Sequence, residues 1–430
     1  MAGLRVEFSP QTTPETIFCH GRHRLRQTTH SMRHLFARQR TFRVGKYIFA
    51  NDTLLAVSRP QRGPSRLLTV AELLAEFPTA ARAVTVEAAT RLPEFHDEAW
   101  ADTGSTSGWH RQTLPARELP ATAVLVIPRG RVVGRTGTVH VPTADACLRE
   151  FESPPRNTDG FRQHLPFGRL NPRFWKHAAL NAWRERLVPP VRQCPGRVAV
   201  LNATGSHNFF HWTAEVLPRL WTVLQSGEQA DWYVVDGYAR WQRESLAALG
   251  VSLDRVIQPH ATLHLEADEL LVPSLHPTQA IQPLAAALAT GLGATDSGPA
   301  TRMIFIERSR SRRVHNAAAF AAWRRQHGFE DQRLEELPLA QQIKLFREAA
   351  VVVAAHGAGL THIIHCRPGT LVIELMPRGV NRPCYSHLCR LGSLRHRVIE
   401  AARSGWHQDM VVPLDTLDEA LAKGRCGESS

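Results

Sequence analysis

From about Arg197 onward, short wholly apolar runs alternate with longer stretches in which apolar residues recur every three or four positions. The short runs, rich in Val and Ile, predict buried strands, and the longer stretches predict helices with one face inward. "RVAVLNA", "WYVVDG" and "DELLVPS" read as strands, with "NFFHWTAEVLPRLWTVLQ" and "ARWQRESLAALG" as the helices between them. Pro218 inside the first helix predicts a kink or a break, because proline has no N–H to give to the preceding turn. One more helix lies in "HPTQAIQPLAAALATGLG", and a Gly/Ser/Pro-rich joint follows at 291–300. The alternation then restarts, with strands "RMIFIER", "AVVVAAH" and "TLVIEL" and helices "AAAFAAWRRQHG", "LAQQIKLFREA", "AGLTHIIHC" and "YSHLCRLG". This order implies parallel sheets covered by helices, and two such units on a flexible joint make a cleft.

The N-terminal half is less regular. "ATAVLVIPRGRVVGRTGTVHVPT" (Ala121–Thr143) predicts a meander, and residues 153–195, rich in Pro, Arg and Trp, read as connecting structure. The expected division is a basic arm at 1–60, a β-rich and irregular region at 61–195, a Rossmann-like unit at 196–290, the joint at 291–300, a second Rossmann-like unit at 301–415 and a tail at 416–430.

Composition narrows the class. A hydrophobic share of 43% and a charged share of 21% fit a folded chain, not a disordered one. No apolar run of about 18 residues predicts a membrane span, and the N-terminus lacks the apolar core of a secretory leader. Seven scattered cysteines without a Cys-x-x-Cys pair suit a reduced compartment, so a cytoplasmic location is expected. The formal charge is +13, and all basic residues are arginine except Lys46, Lys176, Lys344 and Lys423. Residues 1–50 hold eight arginines and Lys46 against Glu7 and Glu15, hence 9 − 2 = +7. Such an arm suits peripheral contact with an anionic membrane at its inner face. The arginines follow no RRM, KH, zinc-finger or helix-turn-helix pattern, so no specific nucleic-acid partner is expected.

Three stretches carry candidate chemistry. In "VVVAAHGAGLTHIIHCRPGTLVIEL" an apolar strand runs into His356–Gly357–Ala358–Gly359, then a helix, a Pro-Gly turn and a second strand containing Glu374. Glycines let a ligand approach the backbone, and the helix start attracts phosphate. Glu374, at the end of its strand, is placed to accept from a ribose. "FIERSRSRRVHN" sets Arg308, Arg310, Arg312, Arg313 and Asn316 past another strand end, where arginines can neutralise a diphosphate. No Asp-x-Asp pair occurs to hold a divalent metal, so arginines and helix N-termini are expected to carry that charge. In "GSHNFFHWTAE", His207, His211 and Glu215 stand four apart. That spacing resembles a zinc-hydrolase helix, but Asn208 occupies the place where such a site needs its glutamate base.

"HNFFHWTAEVLPRL", "ERSRSRRVHN" and "HGAGLTHIIHCRPGTLVIELMP" resemble the three signature regions of the family 61 glycosyltransferases, over roughly residues 120–400. Bacterial members are often labelled capsular polysaccharide biosynthesis proteins. The resemblance implies an α/β, GT-B-like fold, two Rossmann-like domains facing across a cleft, with the N-terminal β-rich and irregular segment added. It also implies inverting hexosyl or pentosyl transfer from a nucleotide sugar, expected to be UDP-linked, to a hydroxyl of a polysaccharide or glycan acceptor. Neither a metal nor another cofactor is expected. His356, Gly357, Ala358, Gly359 and Glu374 match the family's nucleotide-binding region. Arg308, Arg312 and Asn316 match its Arg…Arg…Asn motif, and Gln342 the glutamine of the preceding helix. His211, Trp212 and Glu215 match its HW…E motif. Ala317, His362 and His365 depart from the usual residues, the last two beside the expected donor pocket. Inverting transfer needs a base for the acceptor hydroxyl and positive charge for the departing diphosphate. His211 oriented by Glu215 suits the first role, and Glu215 itself is the other choice. A degenerate transferase without catalysis and a zinc-dependent hydrolase are the competing readings.

Overall fold

The apolar runs of the C-terminal half form parallel strands, and Leu371–Pro377 is buried at every position. In the computed structural model the described residues are 41–44, 47–50, 64–102, 107–151, 190–260, 262–296, 298–308, 311–380, 382–404 and 408–425. Most of the expected basic arm, the connecting stretch through residue 189, and Arg310 lie outside them. The chain divides into units Met1–Ser58 and Arg59–Ser430. In the first, Thr41–Val44 and Tyr47–Ala50 pair antiparallel.

The second unit is mixed α/β. One sheet runs in the order Glu330–Gln332, Arg302–Ile306, Ala349–Ala355, Leu371–Pro377, Arg395–Arg403, Phe95–Asp102 and Ser107–Leu114. All neighbours are parallel up to Phe95–Asp102, which pairs antiparallel with Ser107–Leu114. The region expected as a separate block at 61–195 is therefore shared out, because two of its strands complete the sheet of the C-terminal half. The expected tail at 416–430 overlaps a helix over its described part. Leu414–Arg425 is a helix that buries Leu417, Ala420 and Leu421 against Phe320 and Trp323.

The other sheet places Val256–Ile257, Trp232–Val234, Arg192–Val200 and His264–Pro273 side by side in parallel. The expected meander at Ala121–Thr143 is only partly a meander. Arg131–Val133 and Thr138–Val141 form a hairpin, whereas Thr122–Pro128 and Arg131–Val133 both pair antiparallel with His264–Pro273. Arg129, at φ 53, breaks the strand, so the chain steps along its partner instead of folding back on itself.

The stretch Phe209–Gln225 is one helix with an insertion. Asn208 caps it, its Oδ1 accepting from the Phe210 N–H at 2.9 Å. Phe209–His211 leads into a π-helical turn, Trp212–Val216, and then into Leu217–Gln225. At Pro218, where a kink or break is expected, the helix has just passed through this π-helical turn. Pro218 cannot donate, and the Leu217 N–H just before it bonds five residues back to the Trp212 carbonyl. Trp212 is fully buried and donates to Ser245 Oγ at 2.9 Å. Among the described residues no helix is long and apolar enough to cross a membrane.

The helix start meets the short 3-10 helix Ala358–His365 of the other sheet's layer. His362 stacks on Phe209 at 4.4 Å between centroids and on Phe346 at 5.2 Å. Burial holds His362 well below its ordinary pKa and brings His365 down to about 3. Both are neutral in the folded chain and regain a value near 6.5 on unfolding, so the unfolded state binds more protons below that pH. Stability therefore falls as pH falls, for His365 alone by about 2 kcal/mol at pH 5. H362F keeps an aromatic ring in the stack and removes one of these titrations. Its melting temperature should fall less than wild type's between pH 7 and pH 5; an unchanged slope would contradict this assignment.

Candidate active site

The glycine loop follows strand Ala349–Ala355 at its carboxyl end, the side on which open parallel sheets bind ligands. Arg308, past the end of the neighbouring strand Arg302–Ile306, lies over Gly357. A Cβ at position 357 would stand 2.2 Å from Arg308 Nη1 and 2.7 Å from its Cζ, so glycine is what admits the guanidinium. Arg312 donates from Nη1 to the His356 carbonyl at 2.8 Å and from Nε to Gln408 Oε1 at 2.9 Å. Its φ of 57 lies in the left-handed region, a conformation costing a residue with a side chain about 1–2 kcal/mol. Burial, then the charges of Arg308 and Arg382, lower the pKa of Arg312, while Tyr385 and Glu374 act in the opposite sense.

None of these three arginines has a carboxylate partner among the described residues. Several other arginines of the C-terminal half are paired: Arg302 with Glu330 and Glu348, Arg324 with Asp331, Arg333 with Glu307, and Arg397 with Glu98. Arg308, Arg312 and Arg382 thus form a patch of positive charge without a directly paired carboxylate, an arrangement suited to a dianion.

His211 and Glu215 face this patch from the other layer. His211 Nδ1 and Glu215 Oε1 are 2.9 Å apart across the π-helical turn. The Glu215 hydrogen bond raises the His211 pKa, against burial and the repulsion of Arg382. Gly205, at φ 86, makes room for the ring, since a Cβ there would stand 2.8 Å from His211 Cδ2. Phe210 lies edge-on to Tyr385 at 5.8 Å, and Tyr385 donates from Oη to the Gly357 carbonyl at 2.5 Å. The His211–Glu215 pair and the glycine loop therefore share a wall.

Three of the sequence-derived site residues turn away from a ligand. Asn316 donates to the Val412 carbonyl and accepts from the Val412 N–H, both at 2.9 Å, so its amide staples the segment after the last strands. Gln342 spends its amide on the Leu334 and Leu337 carbonyls, at 2.9 and 2.8 Å. Glu374 is not at the surface to receive a ribose. It is 1% exposed, with one oxygen on His356 Nδ1 and the other 3.1 Å from His396 Nε2. Ala358 opens the 3-10 helix, and a side chain at Gly359 would press on Leu334 and Ile306. His207 is exposed and precedes the helix that Asn208 caps, so the two histidines do not share a helical face. The departures His362 and His365 are buried in packing.

Sequence reasoning missed Arg382, Tyr385, His396 and Asp97. Arg382 carried a readable signal, since it follows an apolar strand as Arg308 does. Nothing local marks Asp97, whose partner His396 is 299 residues away in the chain.

The family profile described as "Glycosyltransferase 61" matches residues 209–373. Similar curated proteins include "Beta-1,2-xylosyltransferase" of Arabidopsis thaliana, 30% identical over 71 residues, which are 16% of this chain and 13% of that protein. "Beta-1,2-xylosyltransferase RCN11" of Oryza sativa subsp. japonica is 36% identical over 61 residues, 14% of this chain and 11% of that protein. "EGF domain-specific O-linked N-acetylglucosamine transferase" of Drosophila melanogaster is 33% identical over 82 residues, 19% of this chain and 14% of that protein. The chain thus spans only a small part of the length of the relatives it matches.

Gly357→Ala tests the patch directly. The new methyl displaces the Arg308 guanidinium, the movable end of a side chain, so the fold should survive. Inorganic pyrophosphate should bind the variant roughly tenfold or more weakly by calorimetry, as expected on loss of a charge-assisted contact. Wild-type affinity would show that Arg308 is not a ligand-binding group.

Proposed function

We propose that this chain, whose residues 209–373 match the glycosyltransferase 61 profile, moves a glycosyl group from a nucleoside-diphosphate sugar to a hydroxyl of a glycan acceptor. The observation carrying this reading is the cluster of Arg308, Arg312 and Arg382, none directly paired with a carboxylate, at the Gly357 loop and opposite the His211–Glu215 pair. A departing nucleoside diphosphate gains negative charge in the transition state, and fixed guanidinium groups stabilise it without reorganising. The arginines can supply this charge themselves, which supports a reaction that does not depend on a metal. In a GT-B-like arrangement the sheet containing Arg302–Ile306 would serve the donor and the layer bearing His211 the acceptor.

The base is His211. Glu215 holds Nδ1, which leaves Nε2 to take the proton of the acceptor hydroxyl as that oxygen attacks the anomeric carbon. Attack from the face opposite the leaving diphosphate inverts the anomeric centre. A UDP-linked donor is the first to try. The printed names of the relatives point to xylosyl and N-acetylglucosaminyl groups as the sugars to screen.

Two variants separate the roles. Arg312→Ala should weaken donor binding, whereas His211→Ala should bind donor normally and lose roughly 100-fold or more in kcat. Near-normal turnover in both His211→Ala and Glu215→Ala would reject the assignment. The pH profile gives a sign. Glu215 raises the His211 pKa, so Glu215→Gln should lower it and carry the acidic limb of the rate profile to lower pH. A limb that stays in place would mean that His211 is not the base.

A further inference from the structure

Beneath the glycine loop lies a line of ionisable side chains that the proposed reaction does not use. Asp97 Oδ1 is 3.1 Å from His396 Nδ1, His396 Nε2 is 3.1 Å from Glu374 Oε2, and Glu374 Oε1 meets His356 Nδ1. Asp97, His396 and Glu374 sit on three consecutive strands of one sheet, Phe95–Asp102, Arg395–Arg403 and Leu371–Pro377. Their side chains are at most 1% exposed.

Buried carboxylates are tolerated only when paired and hydrogen-bonded, and here the pairing imposes an order. Burial by itself would lower the pKa of His396, but Asp97 and Glu374 bring it up to about 9. The ring is thus protonated on both nitrogens at neutral pH and donates to both carboxylates. Burial would raise the pKa of Glu374, yet His356 and His396 hold it below the ordinary value. As an ionised acceptor it takes the Nδ1–H of His356, and the proton position of that ring is settled from below. The His356 carbonyl meanwhile accepts from Arg312.

We infer that Asp97 and His396 are positioning residues of the donor site: through Glu374 they hold His356 with Nδ1–H turned to the core and Nε2 left for the ligand. The inference rests on reading this loop as the diphosphate site. It brings in two residues outside the family-matched segment 209–373, one of them from the N-terminal half. The orientation of His356 and the anchorage of Arg312 then depend on the same buried ion pair.

Nitrogen-15 NMR of histidine-labelled wild-type protein tests this without a variant, with His356→Gln used to assign the signal. The His356 ring should show a protonated Nδ1 at neutral pH, and its shifts should step as His396 titrates near pH 9. An Nε2-protonated tautomer, or no step, would overturn the inference. Asp97→Asn should remove the step and weaken UDP affinity roughly tenfold, the scale of lost outer-sphere support at other sites. Asp97→Glu should restore part of both. A variant with unchanged tautomer and unchanged UDP affinity also overturns the inference. Failure of the wild-type protein to bind UDP or any other nucleoside diphosphate would instead count against the donor-site reading, while the NMR result stands on its own.

Discussion

Three like charges brought together without an acidic partner repel one another, and the surrounding structure has to hold them in place. Arg312 is fixed by the His356 carbonyl and Gln408 in a left-handed backbone conformation, and Arg308 lies over a glycine that leaves it room. Such an arrangement raises the energy of the empty protein and lowers that of an anion complex, which is how a binding site differs from a surface ion-pair network. Other arginines of the C-terminal half are the internal contrast: Arg302, Arg324 and Arg397 each meet a carboxylate.

The other side of the site depends on a helix that is not regular. Pro218 removes a donor just after the π-helical turn, and His211 and Glu215 span that turn. Trp212 anchors the helix in its own layer through Ser245, and Phe209 anchors its start on His362 of the other. These contacts bring the His211–Glu215 pair and the cationic patch, carried by different layers, close enough for Arg382 to act electrostatically on both His211 and Arg312. The position of His362 also explains why a departure from the family pattern there need not touch a ligand.

Much of this was readable along the chain. Continuous apolar runs such as Val351–Ala355 have one common solution, a strand buried on both faces, and the arginines and glycines at such strand ends point to an anion site. Side-chain partners were not readable. Asn316 and Gln342 are amides in the expected motifs, but a motif cannot show that their hydrogen bonds go to Val412, Leu334 and Leu337. Glu374 was expected at its strand's end, facing a ribose, but the strand runs on to Pro377 and the residue is buried mid-strand, because the histidines that bury it come from a loop and from a strand whose place in the sheet the local pattern does not give. Asp97 was invisible for the same reason, since only strand order brings Phe95–Asp102 beside Arg395–Arg403. Thr122–Pro128 and Arg131–Val133 read as consecutive meander strands, but pairing with the long strand His264–Pro273 places them end to end.

The most direct test of the central claim is a crystal structure of the protein with UDP. The diphosphate is expected over Gly357, with phosphate oxygens about 2.7–2.9 Å from guanidinium nitrogens of Arg308 and Arg312. A diphosphate bound elsewhere, with those two guanidinium groups left unengaged, would contradict it.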